Sequence, residues 1–161
     1  MAPGQRMMTA LPSRAFGPEL KMSAILRHIE SLERYAIRSG AQLTRGDLPE
    51  SVEGRVAEGL ITLGTRLSPE RELLALVHEL THWLAHRPEC EQASGPSQTV
   101  YEYEAEAVEA LVMARLGLTR ADTDAAPGEE SLPTDGLLSS SVARVIATSR
   151  RICQALGLDP D

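Results

Sequence analysis

The segment LSPERELLALVHELTHWLAH, residues 67–86, constrains this chain more than any other. It opens on Ser68 and Pro69, an N-cap residue followed by the residue best suited to the first helical position. Glu70 and Glu72 then fall where the positive end of a helix dipole favours acids. Leu73, Leu76, Val77, Leu80 and Leu84 recur at helical spacing, and Leu74 adds an apolar residue on the other side. A helix apolar on both flanks is built to be buried, so the rest of the fold must wrap around it. Pro88 sets its end near His86.

The polar residues of this helix are unusual ones to bury. HELTH, His78 to His82, fits H-E-x-x-H. Residues four apart on a helix share a face, with Cβ atoms about 5–6 Å apart. Two imidazoles there can grip one ion at about 2.0–2.1 Å each. Glu79 lies about 100° further round, close to such an ion but not aimed at it, which suits a base acting on water held by the metal. Two imidazoles and a carboxylate suit zinc. His86 continues the row, but it lies about 12 Å along the axis from His78 and cannot share an ion with both others. It reads as a cationic or hydrogen-bonding helix C-terminus. His28, on an earlier helix, reads as structural or surface.

A catalytic zinc normally has three protein ligands. VYEYEAEAVEALV, residues 100–112, offers Glu102, Glu104, Glu106 and Glu109. With Glu104 at zero and about 100° per residue, Val108 falls near 40° and Leu111 near −20°. Glu102, Glu106 and Glu109 cluster at roughly 140–200°. Three glutamates then mark a wet face, and Glu104 alone interrupts the apolar one. An ionised carboxylate there is costly unless it is paired or binds metal. Glu104 is therefore the expected third ligand, with Glu106 a distant second. Tyr101 and Tyr103 are candidates for an oxyanion hydrogen bond, although packing is the ordinary role of such rings.

The remaining chain supplies the frame. PELKMSAILRHIESLERYAIRSG predicts a helix on Leu20, Ile25, Ile29, Leu32 and Ala36, stopped at Gly40. AQLTRGDLPESVEGRVAEGLITLG predicts two or three short strands, the clearest at Leu60 to Gly64. That strand is expected at a sheet edge, either serving the sheet alone or holding an extended peptide. Helices over 100–116 and 137–156 complete the order, the last on Val142, Val145, Ile146, Ile152 and Leu156. Helix, small sheet and three helices make an α+β fold. Residues 1–17 read as a loose tail and 18–161 as one domain.

Composition narrows the class. The 161 residues suffice for one real core. Aromatics are only 3%, so aliphatic side chains must fill it. No apolar run approaches membrane-spanning length, and the N-terminal apolar run is too short and interrupted for a signal peptide. Cys90 and Cys153 form no CxxC pair, which suits a reduced, cytoplasmic setting. A net charge of −7 argues against sequence-blind nucleic-acid binding.

HELTH after a Ser-Pro-led helix, followed about twenty residues on by EAEAVEALVMARLGL, resembles the ImmA/IrrE-type zinc metallopeptidases. It resembles more closely the metallopeptidase-like domain of ArdC-type antirestriction proteins, which carry HELGHW and an E-x-E-A-E-A-V-A pattern. The resemblance covers roughly Leu60 to Leu118, and more faintly the last helix. It implies a zincin-like fold with zinc on His78, His82 and Glu104, and Glu79 as catalytic acid/base. Thr81 departs from the usual glycine, and Val108 from a frequent aromatic. The DNA-binding domain that precedes this part in ArdC-type proteins is not carried over. The function so implied is a zinc-dependent metalloendopeptidase acting on a specific protein, with transcriptional repressors as the substrate class. The alternative is a non-hydrolytic metal-binding interaction protein, an antirestriction-like inhibitor. A zinc hydrolase for a non-peptide substrate fits the same ligands.

Overall fold

The structure is a computed structural model that describes residues 18–86, 96–118 and 139–158. Helix α1 spans Pro18–Arg38, and three short strands follow: β1 Gln42–Gly46, β2 Gly54–Ala57 and β3 Leu60–Gly64. Helix α2 runs Pro69–Thr81 and continues as a π-helical segment over His82–His86. Helices α3, Pro96–Leu116, and α4, Ser139–Ala155, complete a zincin-like α+β domain. The expected tail and residues 87–95 and 119–138 lie outside the described residues.

Each element follows from local chemistry. In α1, Ile25, Ile29, Leu32 and Ala36 are all buried, one row at helical spacing. Gly40, at φ 95°, turns the chain out of the helix, and Ala41 N–H donates to the Ala36 carbonyl at 3.0 Å. β2 and β3 form a hairpin whose two-residue loop, Glu58 and Gly59, has φ values of 50° and 80°. Positive φ at both positions suits the right-handed twist of the flanking strands. Ser68 caps α2 by accepting from Arg71 N–H, and Pro69 follows at the first turn.

The sheet order is β1-β3-β2, with β3 parallel to β1 and antiparallel to β2. Leu60–Gly64 is thus the central strand, not the edge expected from its sequence. Its neighbours Gln42–Gly46 and Gly54–Ala57 are the other two of the two or three short strands expected over this stretch, and they carry fewer buried side chains. Ile61 and Leu63 of β3 are fully buried. They join Leu73, Leu76, Val77 and Leu80 of α2 and the α1 row in one core. Fully burying a Leu or Val side chain contributes about 1.5–3 kcal/mol, so α2 is the structural as well as the chemical axis. Thr81, which departs from the usual glycine, is fully buried with its hydroxyl donating to the Val77 carbonyl at 2.8 Å. Trp83 donates from Nε1 to Ser39 Oγ at 2.9 Å, tying the π segment to the end of α1.

Two helix phases differ from expectation. On α4, Val145, Ile152 and Leu156 are buried, but Val142 and Ile146 are exposed. On α3, Glu104, Ala105, Val108 and Val112 are buried and Leu111 is exposed. The buried face of α3 is centred roughly 55° beyond Glu104, towards Ala105. That rotation moves Leu111 off the core and brings Glu102 and Glu109 from the wet face to its rim.

Candidate metal centre

Helix α2 and its π extension carry His78, Glu79, His82 and His86 along one side, and α3 packs across them. His78 and His82, one α-helical turn apart, turn their Nε2 atoms towards each other at 3.2 Å. Glu102 of α3 reaches the same point. Its Oε2 lies 3.1 Å from His78 Nε2, and its Oε1 lies 3.3 Å from His82 Nε2. Among the described residues these three side chains form the one His/Cys/Asp/Glu group able to converge on a metal ion.

The donor set fits such an ion. Ligands at about 2.0–2.1 Å from a tetrahedral centre stand about 3.3 Å from each other. The contacts above, 3.1 to 3.3 Å, are close to that separation, with Glu102 offering Oε2 towards His78 and Oε1 towards His82. Electrostatics agree. Burial alone would push His78 down, but hydrogen bonds to Glu102 and Glu109 and the nearby charge of Glu79 raise its pKa to about 10. The carboxylates around His78 thus favour a positive charge at this point. Glu109, with Oε2 3.5 Å from His78 Nδ1, orients the ring from behind.

Glu79 is buried against the β2 strand. Burial raises its pKa, opposed by the charges of His78 and His82, and a backbone hydrogen bond from Val56 holds the carboxylate. Gly54 makes this approach geometrically feasible. A Cβ at position 54 would stand 2.6 Å from Glu79 Cγ. A cleft of about 620 Å³ opens here, lined by residues 51–57 of the β2 region, His78, Glu79, His82 and Glu102.

The structure does not bring Glu104 to His78 and His82. Glu104 is 1% exposed, yet its carboxylate is paired elsewhere. His86 Nε2 lies 2.6 Å from Oε2, and Arg144 of α4 donates from Nη2 to Oε1 at 2.8 Å. The argument that a buried carboxylate needs a partner is sound here, but the partner is a guanidinium and an imidazole. Glu106 is exposed on the far side of α3. Tyr101 stacks on the His86 ring, with centroids 4.5 Å apart, which is a packing role. His28 is partly buried on α1, far along the sequence from this cluster, and burial lowers its pKa.

Sequence reasoning set Glu102 and Glu109 aside as wet-face residues and did not single out Gly54 or Arg144. Glu102 was hidden by its polar neighbours on the helix wheel. Its side chain is nearly half exposed, so no conflict with an apolar face marked it. Gly54 carried only the general signal of a glycine inside a strand, which often marks a close approach.

Residues 38–134 match the Peptidase_M78 family, described as the IrrE N-terminal-like domain. The chain belongs to that family. No curated protein and no solved structure matches the chain significantly. Membership of Peptidase_M78 places a peptidase label on the region that holds β1–β3, α2 and α3. Arg144 and the rest of α4 lie beyond the matched region. No described helix is long and apolar enough to cross a membrane.

Proposed function

We propose that this protein is a zinc-dependent endopeptidase that hydrolyses a peptide bond in a specific protein substrate, with His78, His82 and Glu102 holding the ion. The observation that carries the reading is the triangle of His78 Nε2, His82 Nε2 and the Glu102 carboxylate, beside a buried Glu79 on the same cleft. Glu102 replaces Glu104 as the third ligand in this reading, because only Glu102 reaches both imidazoles.

A zinc ion held there supplies Lewis acidity towards a carbonyl oxygen and water of lowered pKa. His78 and His82 present their Nε2 lone pairs, and Glu109 steadies His78 from behind. Glu79 takes a proton from the attacking water and returns it to the leaving amine. Burial supports that role by making its carboxylate a better proton acceptor than an exposed glutamate. The Val56 N–H and the bare Gly54 backbone hold the carboxylate in place.

The substrate path follows from the sheet. β2 pairs with β3 along one side only, and residues 51–57 border the cleft with the other. An extended peptide can add along that edge by main-chain hydrogen bonds. The role of peptide-holding edge expected for Leu60–Gly64 passes to Gly54–Ala57. The resemblance to ImmA/IrrE-type peptidases supports a transcriptional repressor as the substrate class.

The test is digestion of a proteome-derived peptide library by the zinc-loaded protein, read by mass spectrometry. The reading predicts new termini with wild type that vanish with Glu79→Gln, while zinc content stays the same. Cleavage by Glu79→Gln at the wild-type rate would remove Glu79 from the mechanism. A zinc-loaded wild type that cleaves nothing, in the library or in a native extract, would favour a binding role.

A further inference from the structure

Behind the metal-facing side of His82 lies a second polar group that the proposed reaction leaves unused. His82 Nδ1 stands 3.0 Å from His86 Nδ1. His86 Nε2 stands 2.6 Å from Glu104 Oε2. Arg144 grips the same carboxylate with Nη2 on Oε1 at 2.8 Å and Nε on Oε2 at 3.1 Å. His86 and Glu104 are each 1% exposed.

The protons in this chain can be placed by elimination. A carboxylate bound on both oxygens by a guanidinium is ionised and only accepts. The nitrogen 2.6 Å from it, His86 Nε2, must therefore carry a hydrogen. An imidazole that ligates through Nε2, as proposed for His82, carries its one hydrogen on Nδ1, so across the 3.0 Å contact His86 Nδ1 is an acceptor. The nitrogen facing it, His82 Nδ1, is the donor. That leaves the lone pair of His82 on Nε2, the atom turned towards His78 and Glu102. The reverse order would set two lone pairs against each other at 2.6 Å.

We propose that Arg144, Glu104 and His86 form a buried relay that locks His82 in the Nδ1–H tautomer and so presents its Nε2 to the metal. All three are positioning residues, and the inference rests on the metal site proposed above. The relay gives the buried Glu104 a task one step behind the ion. It also makes α4, which lies outside the family match, part of the site. Partners of this kind typically govern metal affinity by 10–100-fold, because they fix both tautomer and ring orientation.

The test combines tautomer and affinity. Long-range ¹⁵N NMR of histidine-labelled, metal-free protein reads which nitrogen of each ring carries hydrogen. Wild type should show His82 protonated on Nδ1 and His86 on Nε2. His86→Phe keeps a ring against Tyr101 but removes the acceptor. It should shift His82 towards a mixture of tautomers and weaken zinc binding about 10–100-fold in a chelator competition. A structural role alone would lower the melting temperature without moving the His82 tautomer. Arg144→Gln, on a half-exposed side chain, provides a gentler variant that should move both readouts in the same direction. The relay is overturned if wild-type His82 carries its hydrogen on Nε2, or if both variants bind zinc within twofold of wild type. A wild type that binds no zinc would instead overturn the metal site, while the same spectra still test the tautomers.

Discussion

Gly54 offers a sharp test of how Glu79 is held. Replacing it with alanine adds one carbon, and the backbone there does not require glycine, since Gly54 is not among the positive-φ glycines. The three nearest atoms to the new Cβ all belong to Glu79: Cγ at 2.6 Å, Oε1 at 2.9 Å and Cδ at 3.1 Å. Ordinary van der Waals contact begins at 3.4 Å, so the glutamate or the β2 backbone must give by about 0.8 Å (3.4 − 2.6). A misplacement of about 1 Å at a reacting group costs about 10²-fold in rate, or about 2.7 kcal/mol. Gly54→Ala should therefore lower kcat on a cleaved library peptide about 100-fold, with zinc affinity within twofold of wild type. The assay pairs peptide turnover with chelator competition and a thermal melt. A kcat within threefold of wild type, in a variant that melts and binds zinc normally, would refute the idea that the bare strand positions the base.

Other outcomes follow from the same coordinates. Burial raises the pKa of Glu79 above its unfolded value, so the folded state prefers its protonated form and loses stability as pH rises through that range. Metal-free Glu79→Gln should therefore melt higher than wild type at pH 8, with the gap narrowing towards pH 5; a lower melt at pH 8 would contradict the sign. Leu80→Ala removes a fully buried side chain from the α2 core and should cost about 2–5 kcal/mol in urea unfolding. Arg45, by contrast, bridges Glu33 and Glu72 on a side chain 43% exposed, so Arg45→Ala should cost no more than about 1 kcal/mol by the same measurement.

Much of the fold was legible because local signals agreed. Ser68 and Pro69 start α2, the row from Ile25 to Ala36 defines α1, and Gly40 and Gly117, both at positive φ, stop their helices. The candidate site was legible where it depends on spacing within one helix, as in the convergence of His78 and His82. It was not legible where it depends on how elements meet. The choice between Glu104 and Glu102 rests on the rotation of α3, set by the packing of α2 and α4 against it. Helix-wheel angles measured from Glu104 alone could not supply that rotation. Arg144, some forty residues away, satisfies the buried carboxylate that the sequence could only mark as needing a partner. The π turn over His82–His86 was equally hidden.

The central claim concerns which side chains meet at the ion, and anomalous diffraction from zinc-loaded crystals at the zinc absorption edge tests it most directly. The account predicts one strong peak bonded to His78 Nε2, His82 Nε2 and a Glu102 oxygen, with Glu104 still on His86 and Arg144. A peak bonded to Glu104, or zinc bound away from the two histidines, would contradict it.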